Sequence, residues 1–316
     1  MITGASTGIG AATAREMAQR GFHVLAGVRR ERDADGIRAA NIEPLILDIT
    51  HPEHVQALAE RVREDPHHRP LRAVVNNAAV QANVPVEAFA IDGWRDMFEV
   101  NLFGHVAVIQ ALLPSLIDSR GRVVNISSVG GKIAMATYGP YAGTKFALEA
   151  VSDSLRREVG PHGVEVIVIE PGAVRTEMLG RAIAAAPDTV SAMTAEQRRR
   201  YGGLVRAVQA QADASTKSGL PAAAAAAVIA KAITARKPRT RYTVGREAAL
   251  LTLSRLLPDR LVDRALSAAL RPYLPKGANA ADTGRIETRT VRVSARESRA
   301  RAPAGRSPLP DGARRR

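Results

Sequence analysis

Over most of the chain before Pro275, short runs of aliphatic and β-branched residues alternate with longer stretches in which apolar positions recur every three or four residues. That alternation is the signature of repeated strand–helix–strand units, in which each crossover helix covers one face of a parallel sheet. The short runs predict strands at His23–Ala26, Pro44–Leu47, Leu71–Asn76, Arg122–Ser127, Val164–Glu170 and Arg241–Val244. The helical period predicts helices at Gly10–Arg20, Pro52–Glu64, Ile91–Val100, Phe103–Asp118, Tyr141–Val159 and Pro221–Arg236, with Gly21 ending the first and Pro52 opening the second. Arg246–Leu270 reads as one or two further helices broken at Pro258. Glu177 to Leu220 is the one long region lacking a strand, as lids and binding loops do. The spacing therefore predicts a single doubly wound α/β domain over residues 1–275 with a parallel sheet. Only Met1 and Ile2 precede Thr3, where a central strand of about five or six residues is expected. The first strand is thus truncated in this sequence, and the natural start is expected upstream.

Composition narrows the chemistry. The chain has 316 residues, 46% of them hydrophobic and 24% charged, which is too apolar for a disordered polymer. With no cysteine, disulfide scaffolds, thiol nucleophiles, thiolate zinc sites and iron–sulfur clusters are excluded, and no metal site is predicted. Leu102–Ile117, the longest charge-free apolar stretch, is shorter than the roughly 20 residues of a bilayer span, so no transmembrane segment is expected. The opening MITGASTGIG lacks the basic region and apolar core of a secretion signal, which makes a cytoplasmic protein the expectation. The net charge of +14 lies unevenly: residues 276–316 hold 11 Lys and Arg against 4 Asp and Glu, half of the excess. That stretch, rich in Arg, Ser, Pro and Gly, has too little apolar surface to offset ordering entropy and is expected to be a disordered basic tail. Arginine outnumbers lysine 39 to 6, and the run Ala222–Ala227 is as easily a coding bias as a selected property, so no specific nucleic-acid partner is inferred from charge.

Two constellations carry chemistry. Thr3-Gly4-Ala5-Ser6-Thr7-Gly8-Ile9-Gly10 reads as a strand end feeding a glycine-rich turn and a helix. Without Cβ atoms, Gly4, Gly8 and Gly10 let backbone N–H groups approach a pyrophosphate at a helix N-terminus. The same kind of turn also occurs in structural roles, and the glycine spacing differs from G-x-G-x-x-G. Far along the chain, Ser128 is followed by Tyr141 and Lys145, the last two at i and i+4 on one face of a predicted helix. A tyrosine of ordinary pKa near 10 is a poor base at neutral pH, and an adjacent ammonium favours its phenolate form. Ser128, at a predicted strand end, is placed to hydrogen-bond the same substrate oxygen. A Tyr-x-x-x-Lys pair alone also arises on many amphipathic helices.

With these motifs in order, the chain resembles the short-chain dehydrogenase/reductase family of Rossmann-fold nicotinamide oxidoreductases, over residues 2 to 270. TGASTGIG (Thr3, Gly4, Ser6, Gly8, Ile9 and Gly10 among its residues) resembles the cofactor glycine motif, and Asp48 in LDIT resembles the acidic residue near the adenine ring. Asn76-Asn77-Ala78-Ala79 is similar to NNAG, with Ala79 in place of glycine, and Pro171-Gly172-Ala173-Val174-Arg175-Thr176 is similar to the PGxxxT segment beside the nicotinamide. Asn101 in NLFG matches the asparagine of the catalytic tetrad, completed by Ser128, Tyr141 and Lys145. The resemblance implies Tyr141 as the acid that protonates a carbonyl oxygen, with Lys145 lowering its pKa and binding the nicotinamide ribose. It implies that Ser128 holds the substrate oxygen and that Asn101 holds a water linking Lys145 to solvent. Tyr138 reads as a decoy, because Ala142 stands four residues on.

Gly27 in HVLAGVRR falls where NAD-preferring relatives carry an acid, and Arg29 and Arg30 follow, so the expected cofactor is NADP(H) rather than NAD(H). YAGTKFALEAVSDSLRREV and LPDRLVDR are similar to the branch of retinol and steroid dehydrogenases, and Met178, Leu179 and Ile183 open an apolar lid. A hydrophobic ketone or alcohol is therefore the expected substrate. Phe103–Asp118 and Tyr141–Val159 resemble the helices through which the family forms dimers and tetramers, though their apolar faces also suit ordinary sheet packing. The rival readings are a noncatalytic NADP(H)-binding module or inactive truncated relative, and an epimerase or dehydratase on the same fold.

Overall fold

The computed structural model describes residues 1–245, 248, 249, 251 and 257–274. The basic tail expected over 276–316 lies outside the described residues, as does most of the predicted helix between Arg246 and Pro258. Strands β1 (Val24–Val28), β2 (Ile42–Ile46), β3 (Ala73–Asn76), β4 (Arg122–Ile126) and β5 (Glu165–Pro171) pair in parallel, and a later strand, Arg241–Val244, adds to β5 at the edge. Residues 1–3 stand between β1 and β3 in place of a first strand. Ile2 N donates to Leu25 O at 2.9 Å, Gly27 N to Ile2 O at 2.8 Å, Val75 N to Met1 O at 2.9 Å and Thr3 N to Val75 O at 3.0 Å. These bonds satisfy backbone groups of both neighbours that the shortness of this segment put in question.

β1, β3, β4 and β5 are buried on both faces, as the inner strands of a parallel sheet require, and alternate residues enter opposite core layers. Val24, Ala26, Val75, Val124, Ile167 and Ile169 enter one core layer, and Leu25, Val74, Val123 and Val166 the other. Helix α1 (Gly8–Gln19) covers the first face through Ala11, Ala14 and Met17, and α2 (Glu31–Ile37), unforeseen in the sequence, adds Ala34 and Ile37. The second face is covered by α3 (Pro52–Arg63), with Val55 and Leu58, and by a helix that runs through α4 (Ile91–Phe98), a π turn at Glu99–Phe103 and α5 (Gly104–Ser119). Helix α6 (Gly139–Val159) follows β4.

Because α4, the π turn and α5 are continuous over Ile91–Ser119, the helix is 29 residues long and contains an 18-residue stretch of mean hydropathy 1.7, which by length and composition alone would suffice to cross a membrane. This helix contains the stretch Leu102–Ile117 singled out in the sequence. In the fold, Val108, Leu112 and Leu116 of this helix are wholly buried in the core.

The region expected to lack a strand contains one. β6 (Val174–Arg175) pairs with β7 (Leu220–Pro221), and between them lie α7 (Glu177–Ala184), α8 (Ala186–Ala192) and α9 (Ala195–Ser218). A two-residue bridge is too short for periodicity to reveal. α10 (Ala222–Thr234) follows, then β8 (Arg241–Val244) and α11 (Asp259–Leu270), which begins after Pro258 as expected. Ala225 of α10 is wholly buried in the core layer shared with α1 and Ala226 is 1% exposed, so the alanine run has a packing use: small side chains admit close helix approach.

The turn after α3 is held by Asp65. Its carboxylate accepts Arg69 Nη2 at 2.6 Å and Nε at 2.9 Å, Arg61 Nη1 at 3.0 Å, and the backbone N–H groups of His67 and Arg69. The bond from Arg69, helped by the others against burial, holds this carboxyl well below the usual carboxylate range. A depressed carboxyl pKa contributes stability above the unfolded value near 4, and that contribution is lost as pH falls below it. Asp65→Asn is expected to cost about 1–2 kcal/mol at pH 7, read by denaturant melts, with the gap narrowing progressively as pH falls below about 4.

Candidate active site

The carboxyl ends of the strands open onto a cleft of about 400 Å³, at the place where doubly wound sheets bind ligands. Its floor begins at the glycine turn. Gly4 sits at φ 62°, and a Cβ there would lie 2.8 Å from Cα of Ala78; a Cβ on Gly10 would lie 2.3 Å from the Gly4 carbonyl. Both positions therefore demand glycine. The turn delivers an α1 N-terminus without a side-chain cap at Thr7 and without an acidic residue in its first turn. Ser6, Thr7, Gly8 and Ile9 line the cleft there. A helix N-terminus that its own side chains leave uncapped, facing a cleft, fits a pyrophosphate.

Next along the cleft come Val28, Arg29, Leu47, Asp48 and Ile49. The strand residue that faces this end is Val28 and not Gly27, because alternation turns Gly27 the other way: its Cβ would meet Leu47 at 2.8 Å and Met1 at 3.0 Å. No acid stands at either position. Asp48 is tied down by Thr50, whose N and Oγ1 donate to Oδ1 at 3.1 and 2.8 Å. Burial raises its pKa, but the Thr50 bonds and the nearby Arg29 charge bring it below the ordinary value.

Ala78 lines the cleft, whereas Thr3, Gly10, Asn76 and Asn101 sit behind it. Thr3 Oγ1 accepts the backbone N–H groups of Asn77 and Ala78 at 2.9 and 3.0 Å. Asn76 donates to Asn125 Oδ1 at 2.9 Å, inside the core, so its contribution is to the sheet and not to a ligand. Asn101, in the π turn, accepts Val80 N at 2.8 Å and donates to Val80 O at 2.9 Å and to Thr144 Oγ1 at 3.2 Å. Its side chain therefore clamps a cleft-lining strand of backbone. His105, one turn on, was missed in the sequence: it bonds Ala78 O at 2.7 Å and is held near pKa 3 by burial and by the Lys145 charge.

Beyond this floor stand Ser128, Tyr141 and Lys145. Ser128 closes β4 and caps a short 3-10 turn, its Oγ accepting Gly130 N at 3.0 Å. Tyr141 and Lys145 share one face of α6, with the ammonium 5.7 Å from the ring centroid. Lys145 Nζ donates to Ile126 O at 2.8 Å. Burial pushes the Tyr141 phenol up to about 12, against a hydrogen bond from Ser128. Burial likewise brings the Lys145 ammonium down to about 8, against the Glu149 charge. A phenol, a hydroxyl and a buried amine thus converge beside an anion-binding turn.

The family model described as short chain dehydrogenase matches residues 1–186. The chain belongs to the short-chain dehydrogenases. It is 33% identical over 273 residues to the NADPH-dependent 3-dehydrocapnine reductase of Ornithobacterium rhinotracheale, covering 84% of this chain and 94% of that one. It is 37% identical over 291 residues to human retinol dehydrogenase 5, covering 88% and 89%. Among solved structures, a short-chain dehydrogenase from Streptomyces avermitilis superposes with TM-score 0.67 at 28% identity, over 85% of this chain and 96% of that one.

The part of this dehydrogenase's cleft lined by α7, α9 and α11 is mostly apolar, with Arg181, Gln211 and Ser215 among its side chains. Met178 and Leu179 of α7 line it, and Ile183 does not. Its other walls, unforeseen in the sequence, are Val208 and Ala212 of α9 and Leu266 and Ala269 of α11, with Gln211 Nε2 reaching Ala269 O at 3.3 Å. The helical spacing of these residues reads as ordinary amphipathic packing until the two helices are placed over the sheet. Pro171, Gly172, Val174 and Thr176 line the cleft between the two ends. Tyr138, the apparent decoy, also lines the cleft, with burial raising its pKa against bonds from Asn83 and Gln81.

Proposed function

We propose that this oxidoreductase uses NADP(H) to reduce the carbonyl of a hydrophobic small molecule, with Tyr141 as the proton donor. The observation that carries this reading is the convergence of Ser128, Tyr141 and Lys145 on one cleft with the glycine turn and with apolar side chains of α7, α9 and α11. When bound, the nicotinamide supplies the hydride to the carbonyl carbon. Ser128, already fixed by Gly130 N, holds the carbonyl oxygen by a preset donor. Tyr141, a protonated phenol at neutral pH with its pKa near 12, gives its proton to that oxygen. The Lys145 ammonium then faces the phenolate left behind, across the 5.7 Å to its ring. Pro171, Gly172, Val174 and Thr176 border the space for the nicotinamide, and Ser6, Gly8 and Ile9 that for the pyrophosphate. The names of the two relatives, a reductase dependent on NADPH and a retinol dehydrogenase, support the cofactor and the apolar substrate.

Arg29 is assigned to the 2′-phosphate, since it lines the cleft next to an apolar Val28, where a carboxylate would repel that group. Arg29→Ala is expected to raise KM for NADPH about tenfold, the loss of one charge-assisted hydrogen bond, and KM for NADH less than about twofold. Equal effects on both cofactors overturn the assignment. A homo-oligomer through α5 and α6 belongs to the same reading: Phe103, at the start of that helix, and Phe146 on α6 are 54% and 38% exposed. The proposed activity is tested by following NADPH oxidation with a panel of hydrophobic ketones and aldehydes. Tight NADPH binding without turnover on any of them counts against it.

A further inference from the structure

Outside the cleft lining, further along the face of α6 that carries Tyr141 and Lys145, five charged side chains meet, three of them buried. Lys132 Nζ lies 2.6 Å from Glu149 Oε2 and 3.3 Å from Glu170 Oε1, and all three side chains are at most 8% exposed. Arg241 closes the group: its Nη2 lies 3.1 Å from Glu149 and 2.8 Å from Asp153, and its Nε 3.4 Å from Glu170. Thr243 Oγ1 donates to the other oxygen of Glu170 at 3.1 Å.

Such a cluster is a poor device for stability, because desolvating ions offsets their attraction, and well-packed apolar residues serve as well or better. What singles it out is where its members are attached. Lys132 directly follows the short turn that Ser128 opens. Glu149 is one helical turn beyond Lys145 and two beyond Tyr141. Glu170 immediately precedes Pro171 and Gly172. These are the three segments that carry the proton donor, the substrate-oxygen donor and the nicotinamide border. The first two of these, the Ser128 turn and α6, also press together at Gly131, where a Cβ would sit 2.6 Å from Ser127 Oγ and 3.1 Å from the Lys145 carbonyl.

We propose that Lys132 is a positioning residue: through Glu149 and Glu170 it fixes the Ser128 turn and the Pro171 loop against the helix bearing Tyr141 and Lys145. This rests on the reading of Tyr141 and Ser128 given above. Displacements of about 1 Å at a reacting centre cost about 10²-fold in rate. The cluster touches neither substrate nor cofactor, so its effect falls on turnover and not on binding.

The test compares Lys132→Met with Lys132→Arg, beside Tyr141→Phe, well below each variant's Tm. Lys132→Met is expected to lower kcat about 10- to 100-fold with KM for the carbonyl within about twofold, and Lys132→Arg to recover it to within about threefold. Hydrogen exchange at the Gly130 and Gly131 amides, bonded to Ser128 Oγ and O at 3.0 and 2.9 Å, is expected to quicken in Lys132→Met. A fall in Tm with wild-type kcat and unchanged exchange overturns the proposal. If Lys132→Met does not fold, Arg241→Ala, at a 29% exposed side chain, takes its place, with a fall in kcat of about fivefold expected and none overturning the idea. Wild-type turnover in Tyr141→Phe sinks the functional reading instead, and the exchange rates then decide the positioning role by themselves.

Discussion

Tyr141→Phe is expected to lower turnover by about 10³-fold, the usual contribution of a positioned general acid, while NADPH affinity stays within about twofold. The substitution removes one oxygen and leaves the ring that fills the wall of the cleft. No other group within the site takes its place. Ser128 has an ordinary hydroxyl engaged by Gly130 N, and Lys145 is turned to Ile126 O. Tyr138, also in the cleft, has Ala142 four residues on, where Tyr141 has Lys145. Tyr138→Phe therefore serves as the companion variant, expected to change kcat by less than about fivefold. Comparable losses in both variants, or turnover retained in Tyr141→Phe, would place the proton donor elsewhere. Fluorescence titration with NADPH separates a chemical defect from a binding defect, because Tyr141→Phe leaves the glycine turn intact.

The parts of the fold that repeat a simple pattern were legible in the chain. Val123 and Val124 turn to opposite layers as alternation requires, and the ends of α1 and α3 lie within two residues of their sequence signals at Gly21 and Pro52. What stayed hidden was set by contact between distant segments. Thr3 gives no sign that its hydroxyl holds the backbone of Asn77 and Ala78, and Asn76 reads like its neighbour until the core closes around it. Glu31–Ile37 is too short and too polar to announce a helix; its Ala34 and Ile37 find a core face only once β1 and β2 are paired. The β6–β7 bridge is two residues on each side and has no period at all.

The same division holds at the site. That Ser128, Tyr141 and Lys145 would meet in one cleft was legible, because proton transfer limits which side chains could serve and a helix limits their spacing. The register at β1 was less so: reading the cofactor-facing residue as Gly27 and not Val28 is an error of one position, and in a strand one position is the difference between opposite faces. The proposed NADP(H) preference does not depend on the choice, because neither residue is acidic. The apolar end, built from α9 and α11, depends on how two helices separated by β7, α10 and β8 lie over one cleft, which spacing within either helix does not encode.

Lys145→Met is expected to act on rate and stability in opposite directions. The ammonium lies 5.7 Å from the Tyr141 ring and, in the proposed reaction, faces the phenolate that proton donation would create, so its loss is expected to lower kcat/KM by about 10²- to 10³-fold. Burial holds its pKa near 8 against an ordinary value of 10.5, with the Glu149 charge opposing and neutral His105 adding no countercharge. In the wild type, kcat/KM for NADPH, which reports ionisations of the free protein, should therefore decline by about tenfold per pH unit as Lys145 loses its proton above pH 8. Lys145→Met, with no proton to lose there, should show a flat residual rate from pH 7 to about 9. The sign for folding follows from the same shift. Between about 8 and 10.5 the unfolded chain holds the Lys145 proton and the folded one does not, so this group makes stability rise with pH. At pH 7 the lysine is charged in both states and burying that charge works against folding. Lys145→Met is accordingly expected to raise Tm at pH 7 by a few degrees, with the gain vanishing above pH 10. A variant that loses both activity and thermal stability at pH 7 would mean that Lys145 holds the helix in place through Ile126 and not that the fold carries a cation for the sake of the phenolate.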